Sequence, residues 1–212
     1  AAEVHMALMA LQHRGQDSAG MGEFDQLFRV HRGLGKVPVA IDEQALALFN
    51  ESRAVIGHVR YPTRGTGHIE DAQPFFANPP GIILAHNGNV TNVEELAERL
   101  AGHSVRLRSR CDAEPMVGML ASHLLRARPF GHTEADLVAA VRHLLDEVRG
   151  GYTAVLGMIL DGKPTLAVFR DRNGLRPCVI GRRGDAWMSA SESVALDPLE
   201  FTDRFSPEPG EL

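Results

Sequence analysis

The feature that most constrains the fold is a pair of apolar segments in the second half of the chain. The runs YTAVLGMIL and PTLAVFR are rich in strand-forming residues, and Asp161-Gly162 lies between them. An Asp-Gly pair between two such runs is a strong β-hairpin signal, because both residues tolerate the positive φ angles of a tight turn. Further strand-like runs, PCVIG and AWMSASE, follow at short spacing. The pattern predicts antiparallel sheet.

Helical patterns are grouped in blocks apart from these strands. The first twelve residues place apolar side chains on one helical face, and two further helices are predicted at about 114–125 and 134–148. Thr91 and Thr133 are each followed three residues later by an acidic residue, which predicts a capping box at the start of a helix. Segregated helices cover sheet faces. We therefore expect an α+β fold with two sheets stacked between helices.

Composition excludes several classes of protein. Of the 212 residues 44% are hydrophobic, yet no apolar run approaches the roughly 18 residues of a membrane helix. No secretory leader is visible, and two cysteines are too few for a disulfide framework, so we expect a cytoplasmic protein. A net charge of −5 and a pI near 6.1 argue against nucleic-acid binding.

Four polar clusters lie where predicted strands end or helices begin. They are QHRGQDSAG (12–20), HVRYPTRGTG (58–67), HNGN (86–89) and RCDAE (110–114). Singly, each has a simple structural explanation: Arg60 as a surface arginine, Asp112 as a helix N-cap, Asn87-Gly88 as a type I′ turn. Together they offer a guanidinium for a carboxylate, a carboxylate for an ammonium, and an amide beside a glycine N–H for an oxyanion. That set predicts a site for one small zwitterion.

These clusters, in this order, resemble the glutaminase domain of class II glutamine amidotransferases. The segments that carry the resemblance are LQHRGQDSAG, IGHVRYPTRG, DAQPF, LAHNGNVTN, FRDRNGLRP, SASESVALD and PEPGEL. Within the class, the sequences of these segments are similar to those of the amidophosphoribosyltransferase family. The Arg-Gly-Tyr-Asp and Arg-Trp-Ala-Thr-His runs of the glucosamine-phosphate synthase branch are not in the sequence, and the likeness of RNGLRP to glutamate synthase is partial.

The resemblance covers nearly the whole chain and implies a fold as well as a site. Residues 1–212 are expected to form one type 2 glutamine amidotransferase domain, a four-layer αββα N-terminal-nucleophile sandwich. Arg60 would bind the α-carboxylate of glutamine and Asp112 its α-ammonium. Asn87 and Gly88 would form the oxyanion hole.

Three further residues receive roles only through the resemblance. Arg14 is similar to the family arginine beside the nucleophile. Tyr61 and Thr63 belong to a segment, at about 61–68, that resembles the loop closing over bound glutamine. Gly65 and Gly67 would permit that movement.

The sequence departs from the family pattern at the nucleophile. The family uses a cysteine as the first residue of the mature chain, with its own α-amino group as the base. No cysteine stands there, so we expect the nucleophile and the first strand of the sandwich to be missing and the chain to be inactive. Cys111 has an ordinary peptide nitrogen and Cys178 lies in a strand-like run, so neither substitutes. A fragment, a shortened chain and a true pseudo-enzyme all remain open explanations.

The resemblance also implies partners outside this stretch. A phosphoribosyltransferase domain or subunit, expected after Leu212, would use the ammonia to aminate phosphoribosyl pyrophosphate in the first step of purine synthesis. Magnesium and any iron–sulfur cluster would belong to those regions, and the ten histidines form no grouping of metal-ligand type. We expect no cofactor here, and a homo-oligomer for the full-length enzyme.

Other functions stay open. The domain could be a non-catalytic glutamine-binding or scaffolding module, or the glutaminase domain of another class II amidotransferase. A penicillin-acylase-like hydrolase would share the sandwich, but the glutamine-shaped pair Arg60 and Asp112 weakens that alternative.

Overall fold

The computed structural model describes residues 1–25, 27–61 and 67–212. In these ranges the α-helices are α1 (Ala2–Ala10), α2 (Val37–Ala40), α3 (Glu43–Ala47), α4 (Val93–Gly102), α5 (Ala113–Ala127) and α6 (Glu134–Glu147). The strands are β1 (Ser18–Glu23), β2 (Arg29–Leu34), β3 (Val55–Arg60), β4 (Phe75–Ala77), β5 (Ile82–Val90), β6 (Gly150–Leu160), β7 (Lys163–Arg170), β8 (Val179–Arg183), β9 (Ala186–Ala190) and β10 (Thr202–Phe205). None of the described helices is long and apolar enough to cross a bilayer.

The strands form three hydrogen-bonded sheets rather than the two expected. Over the described residues their orders are β2-β1-β3, β4-β5-β6-β7 and β10-β8-β9, and neighbouring strands run antiparallel. The four-stranded sheet contains the predicted hairpin, with Asp161 at φ 49° and Gly162 at φ 75°. Positive φ at both turn residues is the geometry that Asp-Gly favours, so that prediction is confirmed.

Helices α4, α5 and α6 cover the four-stranded sheet. Met116, Leu120 and Leu124 recur at a spacing of four residues along α5 and are fully buried in the same core cluster as Ile82 and Leu84 of β5. A spacing of four places side chains on one helical face. This packing fixes the start of α5 against β5, where the polar clusters meet.

The two predicted capping boxes had different outcomes. Thr133 and Asp136 form one at α6, with the Thr133 N–H 2.8 Å from the Asp136 carboxylate. The one predicted at Thr91 is wrong, because α4 begins at Val93 and the Thr91 hydroxyl donates to the Arg149 carbonyl at 3.1 Å. Strand β5 runs further than predicted and brings Thr91 against the start of β6.

Strand β1 lies in the centre of its sheet and was not predicted. Its sequence SAGMGE lacks the β-branched residues of a typical strand, yet every residue is buried. A Cβ on Gly22 would lie 2.1 Å from Ile83 Cδ1 of the four-stranded sheet. The glycines of β1 therefore allow close packing between sheets, and close packing rather than strand propensity places this segment.

A small apolar cluster joins these two sheets. Phe24 and Ile56 pack with Ile83 and Ala85 of β5, all buried. A larger cluster holds α1, α2 and β1 together with β9 and the segment after it, through buried residues such as Leu8 and Met188. The ends of β3 and β5 consequently lie side by side.

Candidate active site

A cleft of about 390 Å³ lies where β3 and β5 approach the start of α5. Its lining includes six of the seven predicted site residues, namely Arg14, Arg60, Tyr61, Asn87, Gly88 and Asp112. The seventh, Thr63, lies outside the described residues. Residues from four sequence clusters are thus brought together, although up to 98 positions separate them in the chain from Arg14 to Asp112.

The free edge of β5 organises this cleft. Within the described ranges strand β4 pairs with the first part of β5 alone, so no described strand covers the later part on that side. The His86 N–H donates to the Gln73 side-chain oxygen at 2.8 Å, and the Val90 N–H donates to Asp112 Oδ2 at 2.8 Å. Alternate residues of a strand direct their N–H groups to the same edge. The Gly88 N–H, midway between them, therefore faces the cleft.

The pairing of Gly88 explains why glycine stands there. Gly88 lies opposite Tyr152 of β6, whose N–H and carbonyl are both used by Asp171, at 3.0 and 2.9 Å. A Cβ on Gly88 would lie 2.4 Å from the Gly151 carbonyl oxygen and 2.6 Å from Tyr152 Cα. The type I′ turn explanation is wrong, since Asn87 and Gly88 lie inside β5 and neither has a positive φ.

Asn87 supplies a second donor. Its side-chain amide nitrogen Nδ2 is buried and has no hydrogen-bond partner among the described residues. An unpaired buried N–H is costly, typically about 1–3 kcal/mol, unless a ligand or water completes it. With the Gly88 N–H, it can form a two-donor site for an oxygen that gains negative charge.

Asp112 provides the negative charge of the cleft. It occupies the N-cap position of α5 but makes no side-chain cap, so the simple explanation for this residue does not hold. Its buried carboxylate accepts the Val90 N–H and lies 3.3 Å from His86 Nε2. Burial works to raise the pKa of Asp112, but the His86 and Val90 contacts outweigh it and hold the pKa below its usual value. The group is a carboxylate at neutral pH.

Arg60 provides the positive charge of the cleft. It is the last residue of β3, only 5% exposed, and its backbone carbonyl accepts the Asp17 N–H at 3.2 Å. A buried guanidinium and a buried carboxylate in one cleft match the two charges of an amino acid.

Arg14 is held at the rim by a residue that the sequence did not single out. Its guanidinium pairs with Glu192, whose other carboxylate oxygen lies 2.9 Å from His13 Nε2. The hydrogen bond from Arg14 lowers the pKa of Glu192. Glu192 belongs to the SASESVALD segment, so the motif contained the signal. Tyr61, in contrast, is 73% exposed.

Two buried groups beside the cleft are unsuited to proton transfer or attack. Burial lowers the pKa of His58 to about 3, so it is neutral. Burial raises the pKa of the Cys111 thiol to about 12, so it is not a thiolate at neutral pH. Cys178 is also buried, and burial raises its pKa. The described residues contain no group of three or more potential metal ligands.

Two buried residues near Asp112 received no role from the sequence. Gln73 belongs to the segment DAQPF and His86 to LAHNGNVTN, but the family resemblance assigned no role to either residue. Both are buried and hydrogen-bonded to each other. Only the fold brings them together, because 13 positions separate them.

Comparison with known proteins agrees with this arrangement. A family model described as a glutamine amidotransferase domain matches residues 62–198. The chain belongs to the class II glutamine amidotransferase family. Similar proteins identify the branch of this family. The chain is 39% identical over 216 residues to the amidophosphoribosyltransferase of Pasteurella multocida, and the match covers 98% of the chain and 42% of that relative. The corresponding enzyme of Pseudomonas aeruginosa is 42% identical over 212 residues, with 97% and 42% covered.

A solved structure shows similarity to the same family. The amidotransferase domain matches the glutamine phosphoribosylpyrophosphate amidotransferase of B. subtilis, complexed with ADP and GMP, at a TM-score of 0.78 and 30% identity. That match covers 98% of this chain and 43% of the other. The α+β fold and the family resemblance drawn from the motifs are therefore confirmed. The chain spans about two fifths of the length of the relatives it matches.

Proposed function

We propose that this cleft binds glutamine and that the chain is the glutaminase domain of an amidophosphoribosyltransferase. Arg60 binds the α-carboxylate, and Asp112 binds the α-ammonium. The Asn87 amide and the Gly88 N–H stabilise the oxyanion on the side-chain carbon. The observation that carries the proposal is the buried, unpartnered Asn87 Nδ2 beside the Gly88 N–H, in a cleft that also holds both charges.

The rim residues complete the site. Arg14, fixed by Glu192, stands near the reacting group and helps to hold the site together. Tyr61 and Thr63 contact the bound ligand from the loop that closes over it. A loop that closes on the ligand would exclude water from the ammonia that is released.

The reaction needs a thiolate that residues 1–212 do not supply, and we propose a cysteine at the start of the mature domain. The thiolate attacks the side-chain amide carbon of glutamine, forming the C–S bond while the C=O electron pair moves to oxygen. Collapse of this intermediate breaks the C–N bond, and the α-amino group delivers the proton that lets ammonia leave. Water then hydrolyses the thioester to glutamate.

We place this cysteine on a further strand of a four-layer αββα sandwich. A cleft of about 1110 Å³ supports the placement, because residues of β3 and β9 line it and each of those strands is at an edge of its described sheet. Asn87 and His58 line this cleft and the smaller one. A strand in the larger cleft would therefore pass beside the oxyanion donors.

The ammonia then serves a second reaction. A phosphoribosyltransferase domain or subunit uses it to aminate phosphoribosyl pyrophosphate, the first step of purine synthesis, in a cytoplasmic homo-oligomer. Magnesium and any iron–sulfur cluster belong to that part of the enzyme. The match to amidophosphoribosyltransferases over 98% of the chain supports this assignment.

Two assays on two forms of the domain test the proposal. The 212-residue chain should release no ammonia from glutamine above background, and a form extended by a strand with a leading cysteine should release it. Changing that cysteine to alanine should stop the release without unfolding the domain. Ammonia release by the 212-residue chain itself would refute the mechanism and direct attention to Cys111.

Calorimetry with glutamine tests the binding residues. Asp112→Asn removes the charge partner of the ammonium and should abolish binding. Asp197→Asn, which removes one charge from a largely exposed carboxylate paired with Arg204, is the matched control and should leave it unchanged. Binding without catalysis in a folded, extended form would instead favour a glutamine-sensing module.

A further inference from the structure

The buried side chain of Gln73 contacts His86 through both the oxygen and the nitrogen of its amide. Gln73 Oε1 accepts the His86 backbone N–H at 2.8 Å. Gln73 Nε2 lies 3.3 Å from the His86 carbonyl and 3.2 Å from His86 Nδ1. A backbone N–H is always a donor and a carbonyl always an acceptor, so these two contacts fix which end of the amide is oxygen.

The fixed amide determines where His86 carries its proton. Because the Gln73 NH₂ group faces Nδ1, that nitrogen must accept and cannot carry a hydrogen. A neutral imidazole has one N–H, so the proton lies on Nε2. That nitrogen is buried and 3.3 Å from Asp112 Oδ2, and it has no hydrogen-bond partner among the described residues, so its contact with the carboxylate is electrostatic.

The two carboxylate oxygens of Asp112 therefore have different contacts. Oδ2 receives the Val90 N–H at 2.8 Å and faces His86 Nε2. Among the described contacts, Oδ1 has only the Cys111 thiol at 3.8 Å, which is a weak donor. We propose that Gln73 and His86 are positioning residues that turn Asp112 Oδ2 inward and leave Oδ1 for the ammonium of the ligand. This inference rests on the proposed glutamine site.

Neutrality of His86 is part of the arrangement. Ionisable groups near it include His58, whose Nε2 lies 3.1 Å from the His86 carbonyl, and Asp112, while Arg60 lines the same cleft. An imidazolium at His86 would place a second cation against Asp112 and compete with the ligand's ammonium. A neutral donor orients the carboxylate and leaves its charge for the ligand.

Nitrogen NMR of the histidine side chains tests the tautomer without any ligand. In the 212-residue chain the His86 signals, assigned by their loss in His86→Gln, should show a protonated Nε2 and an unprotonated Nδ1 at pH 7. Gln73→Glu replaces the donor facing Nδ1 with an acceptor, so His86 should become protonated on Nδ1. Gln12→Glu is the matched control, because the Gln12 side chain also bridges backbone groups, at 2.6 and 2.8 Å, and neither of these described hydrogen bonds involves a histidine.

Glutamine calorimetry then measures the consequence for binding. Gln73→Glu should weaken glutamine binding by roughly tenfold, since it moves the His86 N–H away from the buried Asp112 carboxylate, and Gln12→Glu should not. An Nδ1–H tautomer in the unmodified chain, or unchanged affinity in Gln73→Glu despite a changed tautomer, would overturn the positioning role. The expected tautomer in a chain and an extended form that both fail to bind glutamine would overturn the proposed function instead.

Discussion

Replacement of Gly88 by alanine should force strands β5 and β6 apart and destabilise the fold. The added Cβ would lie 2.4 Å from the Gly151 carbonyl oxygen, whereas ordinary contact begins near 3.4 Å, so about 1 Å of movement is needed. The other two obstacles, Tyr152 Cα and Cβ, both lie at 2.6 Å, and neither can turn aside, because Cα is backbone and Cβ is attached directly to it. Overpacking of this kind costs roughly 1–3 kcal/mol, and backbone obstacles place Gly88→Ala in the upper part of that range.

Urea and thermal unfolding of the purified chain measure the effect. For a chain of this size, 1 kcal/mol shifts the melting temperature by roughly 2–4 °C, so we expect a fall of about 4–12 °C. The urea midpoint should fall with an unchanged slope, since the surface exposed on unfolding is the same. Gly102→Ala is the control: its Cβ would meet nothing within 4 Å at the end of α4. That variant should be neutral or more stable by about 0.5–1 kcal/mol.

The two variants together decide the reason for the glycine. A melting temperature for Gly88→Ala within about 1 °C of the unmodified chain would show that β5 and β6 separate easily, and would refute the steric explanation. Equal losses in Gly88→Ala and Gly102→Ala would refute it too, because the cost would then be general to glycine replacement. If the loss is specific to Gly88, the close pairing with β6 holds the Gly88 N–H at its place on the cleft edge.

Other changes have equally definite outcomes. Thr133→Ala should cost about 1 kcal/mol in urea unfolding because it removes a formed capping box, whereas Thr91→Ala should cost clearly less. Asp171→Ala should cost about 1–3 kcal/mol, since it leaves the buried Tyr152 N–H without its side-chain acceptor. The unfolded chain protonates His58 near its ordinary pKa of 6.5 and the folded chain only near 3. Stability should therefore fall as the pH falls from about 6.5 towards 4, by up to roughly 1.4 kcal/mol per pH unit, and this slope should be smaller in His58→Gln.

Local chemistry explains which elements were predicted from the sequence. The β6–β7 hairpin follows from Asp161-Gly162 and two apolar runs, and α6 follows from Thr133 with Asp136, since each signal acts within a few residues. Strand β1 could not be found this way. Its Gly22 is explained by Ile83, a residue 61 positions away that only the folded chain brings near.

The residues of the candidate site also differ in whether the sequence could identify them. Arg60, Asn87, Gly88 and Asp112 were identified because their side chains or N–H groups match the charges and oxyanion of one small substrate. Gln73 matches no part of a substrate, and its described side-chain hydrogen bonds go to His86, so substrate chemistry gives no reason to select it. Residues that act through another residue become visible only when their contacts are known.

In the proposed glutamine site, one strand edge links the carboxylate that binds the ammonium to the oxyanion donor. The N–H groups of His86, Gly88 and Val90 share that edge, and the outer two are occupied by Gln73 and Asp112. Only the middle one is left for a substrate oxygen. Because strand residues advance by about 3.4 Å each, the Gly88 and Val90 N–H groups are separated by about 6.8 Å along the edge. The Asp112 carboxylate, held by the Val90 N–H, and the Gly88 N–H thus lie at a separation that the geometry of β5 sets. Under the proposed function, this separation restricts the length of the amino acid that can reach both.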